Sequence, residues 1–222
     1  MKIAIKDIYK SYGKKEVLKG IDLETESGKC IGILGANGCG KSTLFSILAG
    51  VQKAKRGEFL YDGKNLFDYP SRRSHLVGYV PQSPALFEEL TARDNLLLWY
   101  KKDELQKELS SGVLNMLGIN EMLKIPVCKM SGGMKKRLSI GCSVSKKPAV
   151  LLLDEPMSAL DIACKEKIAE YIRTYKNAGG TVLIATHDVM ELELCDEYYI
   201  IKNGKLLPFD YDGNLSRLVK AL

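Results

Sequence analysis

The residues best suited to chemistry in this chain stand at 35–43, Gly35-Ala36-Asn37-Gly38-Cys39-Gly40-Lys41-Ser42-Thr43, directly after the apolar run Cys30-Ile31-Gly32-Ile33-Leu34. A glycine, four residues, then Gly-Lys-Ser is the spacing of a phosphate-binding loop set between a buried strand and a helix. Glycines 35, 38 and 40 free the backbone to turn successive N–H groups toward one anion. Lys41 adds a mobile positive charge, and Ser42 a hydroxyl for a phosphate-bound cation. The whole run 35–43 is read as the cradle of a nucleotide's phosphates.

A second cluster, Asp154-Glu155-Pro156, closes the apolar run Val150-Leu151-Leu152-Leu153. Such a run is a strand buried on both faces, and carboxylates at its end are costly unless a cation or substrate awaits them. Asp154 is placed to hold Mg²⁺ through water, with Ser42 reaching the ion from the loop side. Glu155 is the candidate base that orients the attacking water; the plainer alternative is a strand-end carboxylate paired with a lysine. A third cluster, Met130-Ser131-Gly132-Gly133-Met134-Lys135-Lys136-Arg137, reads as an N-capped helix start whose positive end suits a second anion. Alone, Ser-Gly-Gly is more often a flexible turn than a ligand site.

The elements that must position these clusters follow an α/β pattern. Lys2 to Tyr9 and Val17 to Glu26 alternate like paired strands, and Lys41 to Ala49 has helical spacing stopped by Gly50. Gly57 to Gly63 reads as a strand and turn, and Leu76 to Val80 as a strand halted by Pro81. Thr91 to Leu117 changes to a helical pattern, an expected helical subdomain covering roughly 88–148 within one domain of 1–222. Strand Ala149–Leu153, helix Ile162–Asn177, strand Thr181–Ala185, helix Val189–Leu194 and a hairpin about Asn203-Gly204 complete the alternation.

Composition bounds the setting. With 222 residues, 45% of them hydrophobic, the chain can bury one substantial core. No apolar run approaches the roughly 18 residues of a membrane span, and the N-terminus lacks the apolar core of a signal peptide; the expectation is a cytoplasmic protein. Six cysteines without a Cys-x-x-Cys pair argue against disulfides and zinc; Cys39, beside Lys41, is the one placed to favour a thiolate. The net charge of +6 is spread over short runs such as Lys135-Lys136-Arg137, read as solvated faces. His75 has no motif around it and is expected at the surface.

Taken in order, these clusters resemble the ATP-binding cassette (ABC) family along essentially the entire chain. Ser131 to Met134 looks like the family's signature motif, Gln82 its Q-loop glutamine, Ser158-Ala159-Leu160-Asp161 its D-loop, and His187 its switch histidine. Tyr12 matches the aromatic residue that stacks on adenine. Met134 and Met157 depart from the usual Gln and Thr, and the run Met134 to Ser139 is similar to cassettes of simple two-component exporters. The implied fold is a P-loop NTPase core of class α/β with an N-terminal antiparallel β subdomain and an inserted helical subdomain.

The resemblance further implies an ATPase using ATP and Mg²⁺, with Glu155, His187, Lys41 and Gln82 catalytic and Ser42, Gln82 and Asp154 near the metal. Tyr12, residues 35–43, and Ser131, Gly132, Gly133 and Asp161 are the expected nucleotide contacts. Two cassettes, as a homodimer or with a related cassette, would face head to tail around ATP and drive a separate membrane permease from the cytoplasmic face, docked beside Gln82 and the Thr91–Leu117 region. No nucleic-acid partner is expected. The rival readings are a soluble cassette ATPase acting on a ribosomal, DNA or cell-division assembly, and a small-molecule kinase, which leaves Ser131-Gly132-Gly133 unexplained.

Overall fold

The computed structural model describes residues 1–186 and 188–221. Strands β1 (Lys2–Tyr12) and β2 (Lys15–Glu26) pair antiparallel. β3 (Cys30–Leu34) enters a second sheet, and α1 (Lys41–Ala49) follows the glycine-rich loop. β4 (Arg56–Tyr61) and β5 (Lys64–Asn65) return to the first sheet. Next come α2 (Pro70–Leu76), β6 (Val77–Val80), α3 (Ala92–Leu97), α4 (Lys102–Ser111), α5 (Val113–Met116), two short 3₁₀ turns and α6 (Gly132–Ser143). The chain closes with β7 (Val150–Asp154), α7 (Ile162–Asn177), β8 (Thr181–Ala185), α8 (Val189–Leu192), β9 (Glu197–Lys202), β10 (Lys205–Pro208) and α9 (Leu215–Ala221). Among the described residues no helix is long and apolar enough to cross a membrane.

The first sheet has the order β2-β1-β4-β5, and the second β10-β9-β3-β8-β7-β6. In the second sheet β9, β3, β8, β7 and β6 run parallel and only the β9–β10 hairpin is antiparallel. Every residue of β3, β7 and β8 is buried, as parallel strands covered on both faces require. Their side chains divide with the period of two that a strand imposes. Ile31, Ile33, Val150, Leu152, Leu183 and Ala185 pack with α1 and the antiparallel sheet. Cys30, Leu151, Leu153, Val182 and Ile184 face the other way.

That second face shares one continuous apolar cluster with Leu96, Leu105, Leu114, Ile119 and Val127 from the helical stretch, and with Ile168 and Ile172 of α7. The helices between β6 and β7 therefore sit on the sheet's core rather than around one of their own. The helical stretch expected from Thr91 to Leu117 is made of three helices, α3 to α5. Thr91 starts the first with a capping box to Asp94, and the chain breaks at Leu98–Lys101 and again at Gly112.

Two other expectations shift. Residues 70–76 form α2, opened by Pro70 in its first turn and burying no residue, which is why apolar periodicity did not signal it; β6 begins at Val77. The N-terminal strands are longer than expected, so Tyr12 ends β1 and Lys15 begins β2.

Candidate functional site

The parallel strands deliver their carboxyl ends to one edge of the sheet, where ligands of open α/β sheets bind. The loop after β3 carries 35–43, the loop after β6 carries Gln82, and β7 ends in Asp154 with Glu155 directly after it. They converge on a cleft of about 670 Å³ lined by Tyr12, Asn37, Gly38, Gly40, Lys41, Ser42, Thr43, Gln82 and Glu155, with Lys15 and Val17 of β2 as further walls.

The loop's shape depends on glycine at two points. Gly35 has φ +150°, and a Cβ there would lie 2.5 Å from Cys39 Sγ and 2.9 Å from the Ile201 carbonyl oxygen. Gly40, at φ +118°, is the N-cap of α1 and a Cβ on it would meet Leu18 Cδ2 at 2.8 Å. Because a glycine N-cap has no side chain with which to accept their hydrogen bonds, the N–H groups of the first turn of α1 suit an anion. Cys39 donates its N–H to the Ala36 carbonyl at 3.1 Å, and its side chain packs half-buried against the apolar cluster beneath α1. Lys41 is 6% exposed and its Nζ donates to the carbonyls of Gly35 at 2.6 Å and Ala36 at 3.3 Å. The ammonium thus spans the loop from within.

Asp154 is buried at the loop's base and accepts a hydrogen bond from the Ser42 hydroxyl; burial raises its carboxyl pKa, against the pull of Ser42, Lys41 and Lys136. Glu155 takes the left-handed backbone conformation at φ +47°, a strained state for a non-glycine residue of the kind that recurs at working sites. Its N–H donates to Ala185 O at 2.9 Å, and its Oε2 accepts from Gln82 Nε2 at 2.8 Å. A hydroxyl, a carboxylate and an amide carbonyl beside an amide-lined loop form a hard oxygen donor set, suited to Mg²⁺ beside a polyphosphate. Tyr12 stands half-exposed at the lip, its hydroxyl bonded to Gln52 Oε1 and Lys10 Nζ 5.2 Å from its ring.

Ser131, Gly132, Gly133 and Asp161 do not line this cleft. Ser131 caps α6, its Oγ accepting from Met134 N at 3.3 Å, and Gly132 faces open space. Gly133 is buried, with Cys164 Sγ 2.7 Å from where its Cβ would stand. Asp161 caps α7 through Cys164 N at 2.8 Å, a bond that holds its carboxyl below the ordinary range. The segment between β7 and α7 carries Ala159 at φ +57°. A second hollow of about 380 Å³ lies there, between Glu155, Ser158, Ala159, Thr186, Asp188 and Glu191. His187 lies outside the described residues. Asp188 is the N-cap of α8, accepting from Met190 N at 2.9 Å.

The basic run at 135–137 is not the solvated face expected of it. Lys135 pairs with Glu88 at 2.9 Å, but Lys136 and Arg137 are 4% and 8% exposed. Arg137 donates to the Leu117 carbonyl at 2.6 Å, while Lys136 Nζ reaches the carbonyls of Pro81 at 3.1 Å and Gln82 at 2.8 Å. Long stems let both cations cross the core and end on backbone oxygens. His75 is at the surface as expected.

Sequence reasoning also passed over Glu191. It is 1% exposed, and its Oε1 accepts from Met157 N at 2.6 Å. Burial pushes its carboxyl up to about 7, against hydrogen bonds from Thr186 and Met157. Only its place three residues beyond the Asp188 cap could have signalled it.

Comparison with known proteins identifies the family. The family model described as ABC transporter matches residues 18–158. The linearmycin resistance ATP-binding protein of Bacillus subtilis is 35% identical over 206 residues, 90% of this chain and 66% of that protein. The lantibiotic transport ATP-binding protein of Streptococcus pyogenes is 32% identical over 214 residues, 96% of this chain and 92% of that protein. A solved ATP-binding subunit of an ABC transporter superposes with a TM-score of 0.85 at 26% identity, over 99% of this chain and 94% of that one. The chain belongs to the ABC transporter family, as one of its ATP-hydrolysing nucleotide-binding subunits.

Proposed function

We propose that this chain powers a separate membrane permease in an exporter, closing on a second cassette, its own copy or a related one, each time ATP and Mg²⁺ bind. One observation carries the reading: the cleft holding Lys41, Ser42, Gln82 and Glu155 is lined without Ser131, Gly132 or Gly133, which stand at the capped start of α6. A triphosphate cradled by the loop is met on its far side by that helix terminus from the other cassette.

Within one site, the amides of 35–43 and Lys41 hold the β- and γ-phosphates, and Tyr12 stacks on the adenine. Ser42 Oγ, the Gln82 side-chain oxygen and, through water, Asp154 would hold Mg²⁺, which when bound offsets phosphate charge. Glu155 Oε2, oriented by Gln82, takes the proton of the water that attacks the γ-phosphorus. His187 contacts the γ-phosphate, and Asp161 meets the opposite cassette. Loss of the γ-phosphate removes contacts on both sides of the interface and lets it open.

The permease is read to dock in the hollow of about 530 Å³ between Ser46, Tyr79, Pro81, Trp99 and Ser139, with the subunit at the cytoplasmic face of the membrane. Leu98 and Trp99 are more than half exposed beside it. Export follows the two bacterial relatives described above, named for antibiotic resistance and lantibiotic transport. The test is purification of the tagged chain from detergent-solubilised native membranes, with the co-purifying polypeptides identified. A stoichiometric membrane chain is expected; recovery only with ribosomes or nucleic acid would replace the transporter reading with that of a soluble ATPase.

A further inference from the structure

Lys136 sits in the second turn of α6, the helix that Ser131 caps, and is almost wholly buried. Burial lowers its pKa, and the charges that oppose this are Asp154, Glu191 and Glu155, the three carboxylates around the cleft and the hollow beside it. A buried ammonium is expensive without partners, and here its hydrogen bonds go to consecutive backbone carbonyls, Pro81 and Gln82. Residues 81–90 form no helix or strand, so these two bonds do for the loop what a strand ladder would do elsewhere. Ser143, at the other end of α6, adds one more tie through its hydroxyl to Tyr79 O at 2.9 Å. From that anchored backbone the Gln82 side chain reaches Glu155 Oε2.

We propose that Lys136 is a positioning residue for hydrolysis: it fixes the Gln82 backbone so that the Gln82 amide stays on Glu155, and it links the helix bearing Ser131 to the carboxylate of its own chain's cleft. The inference rests on Glu155 acting as the base. A contact made at Ser131–Gly133 moves α6, α6 carries Lys136, and the Gln82 carbonyl follows. The attacking water is then aligned only when α6 is seated.

The test is a double-mutant cycle on the full-length purified chain, using Lys136→Met, Gln82→Ala and the pair, with kcat and KM for ATP measured for each and Glu155→Gln run alongside. Lys136→Met lowers kcat roughly 10- to 100-fold, the scale of a small misplacement of a catalytic group, and changes KM about twofold at most. In the Gln82→Ala background it costs almost nothing further, and Lys136→Gln, which keeps a donor, recovers part of the rate and serves in the same cycle if the Met variant does not fold. Losses that multiply in the double variant, or a raised KM at unchanged kcat, overturn the role given to Lys136 while leaving Glu155 as the base. Wild-type turnover by Glu155→Gln overturns the base itself and the proposal with it.

Discussion

Replacing Glu155 by Gln isolates the base from everything else this residue does. The side chain keeps its volume, its buried setting and its acceptor for Gln82 Nε2, now 2.8 Å from Oε2, and its backbone stays in the left-handed conformation at φ +47°. What is lost is the ability to accept a proton from water. General-base assistance is worth about 10²- to 10⁴-fold, or roughly 3 to 5 kcal/mol of barrier, and that whole loss falls on kcat. ATP affinity is predicted to change less than about threefold, because Lys41 and the amides of 35–43 are untouched. Folding stability does not drop, since the Glu155 charge is one of the influences raising the Asp154 pKa and its removal relieves a like-charge contact. Steady-state phosphate release, equilibrium nucleotide titration and urea unfolding read the three quantities separately. A rate loss below about tenfold, or an affinity loss equal to the rate loss, refutes the assignment.

Lys41→Ala removes the ammonium that bridges Gly35 and Ala36; with charge-assisted hydrogen bonds worth about 1.5–3 kcal/mol, ATP binding weakens roughly 10- to 100-fold in calorimetric titration. Gly35→Ala places a Cβ 2.5 Å from Cys39 Sγ and 2.9 Å from Ile201 O, so nucleotide binding and thermal stability both fall. Cys39→Ala on top of it recovers only part, because the Ile201 carbonyl remains in the way. Glu191, raised from an ordinary 4.5 to about 7, holds its proton more tightly folded than unfolded. Its stabilising contribution is fully present below about pH 4.5 and is lost as pH rises through about 7, an effect of roughly 3 kcal/mol at most. Glu191→Gln keeps an acceptor for Met157 N and loses this term, so its stability relative to wild type improves between pH 5 and pH 8 in paired urea titrations.

The parallel core was legible because it obeys rules that need no tertiary information. Ile31 to Leu34, Val150 to Leu153 and Val182 to Ala185 are runs too apolar for anything but strands covered on both faces. The loop after the first of them is fixed by its own glycines, so the sequence alone singles out Asn37, Gly38, Gly40 to Thr43 and Glu155, which line the cleft. What escaped were features in which a distant partner outweighs local preference. Lys136 and Arg137 carry the charge pattern of a solvated run, yet carbonyls of Pro81, Gln82 and Leu117, far away in sequence, draw both inward. Pro70 to Leu76 buries no residue and so left no periodicity to read. Glu191 has no sequence motif of its own; its partner, Met157 N, lies across the fold.

The account stands most directly on the mass of the Glu155→Gln chain in light scattering with nucleotide. One chain is 24.7 kDa. The predicted result is that single-chain mass in ADP, twice that mass in ATP with Mg²⁺, and no doubling when Ser131 is also changed to Arg. A single-chain mass under every nucleotide, together with wild-type hydrolysis whose rate per chain ignores concentration and survives Ser131→Arg, would contradict it.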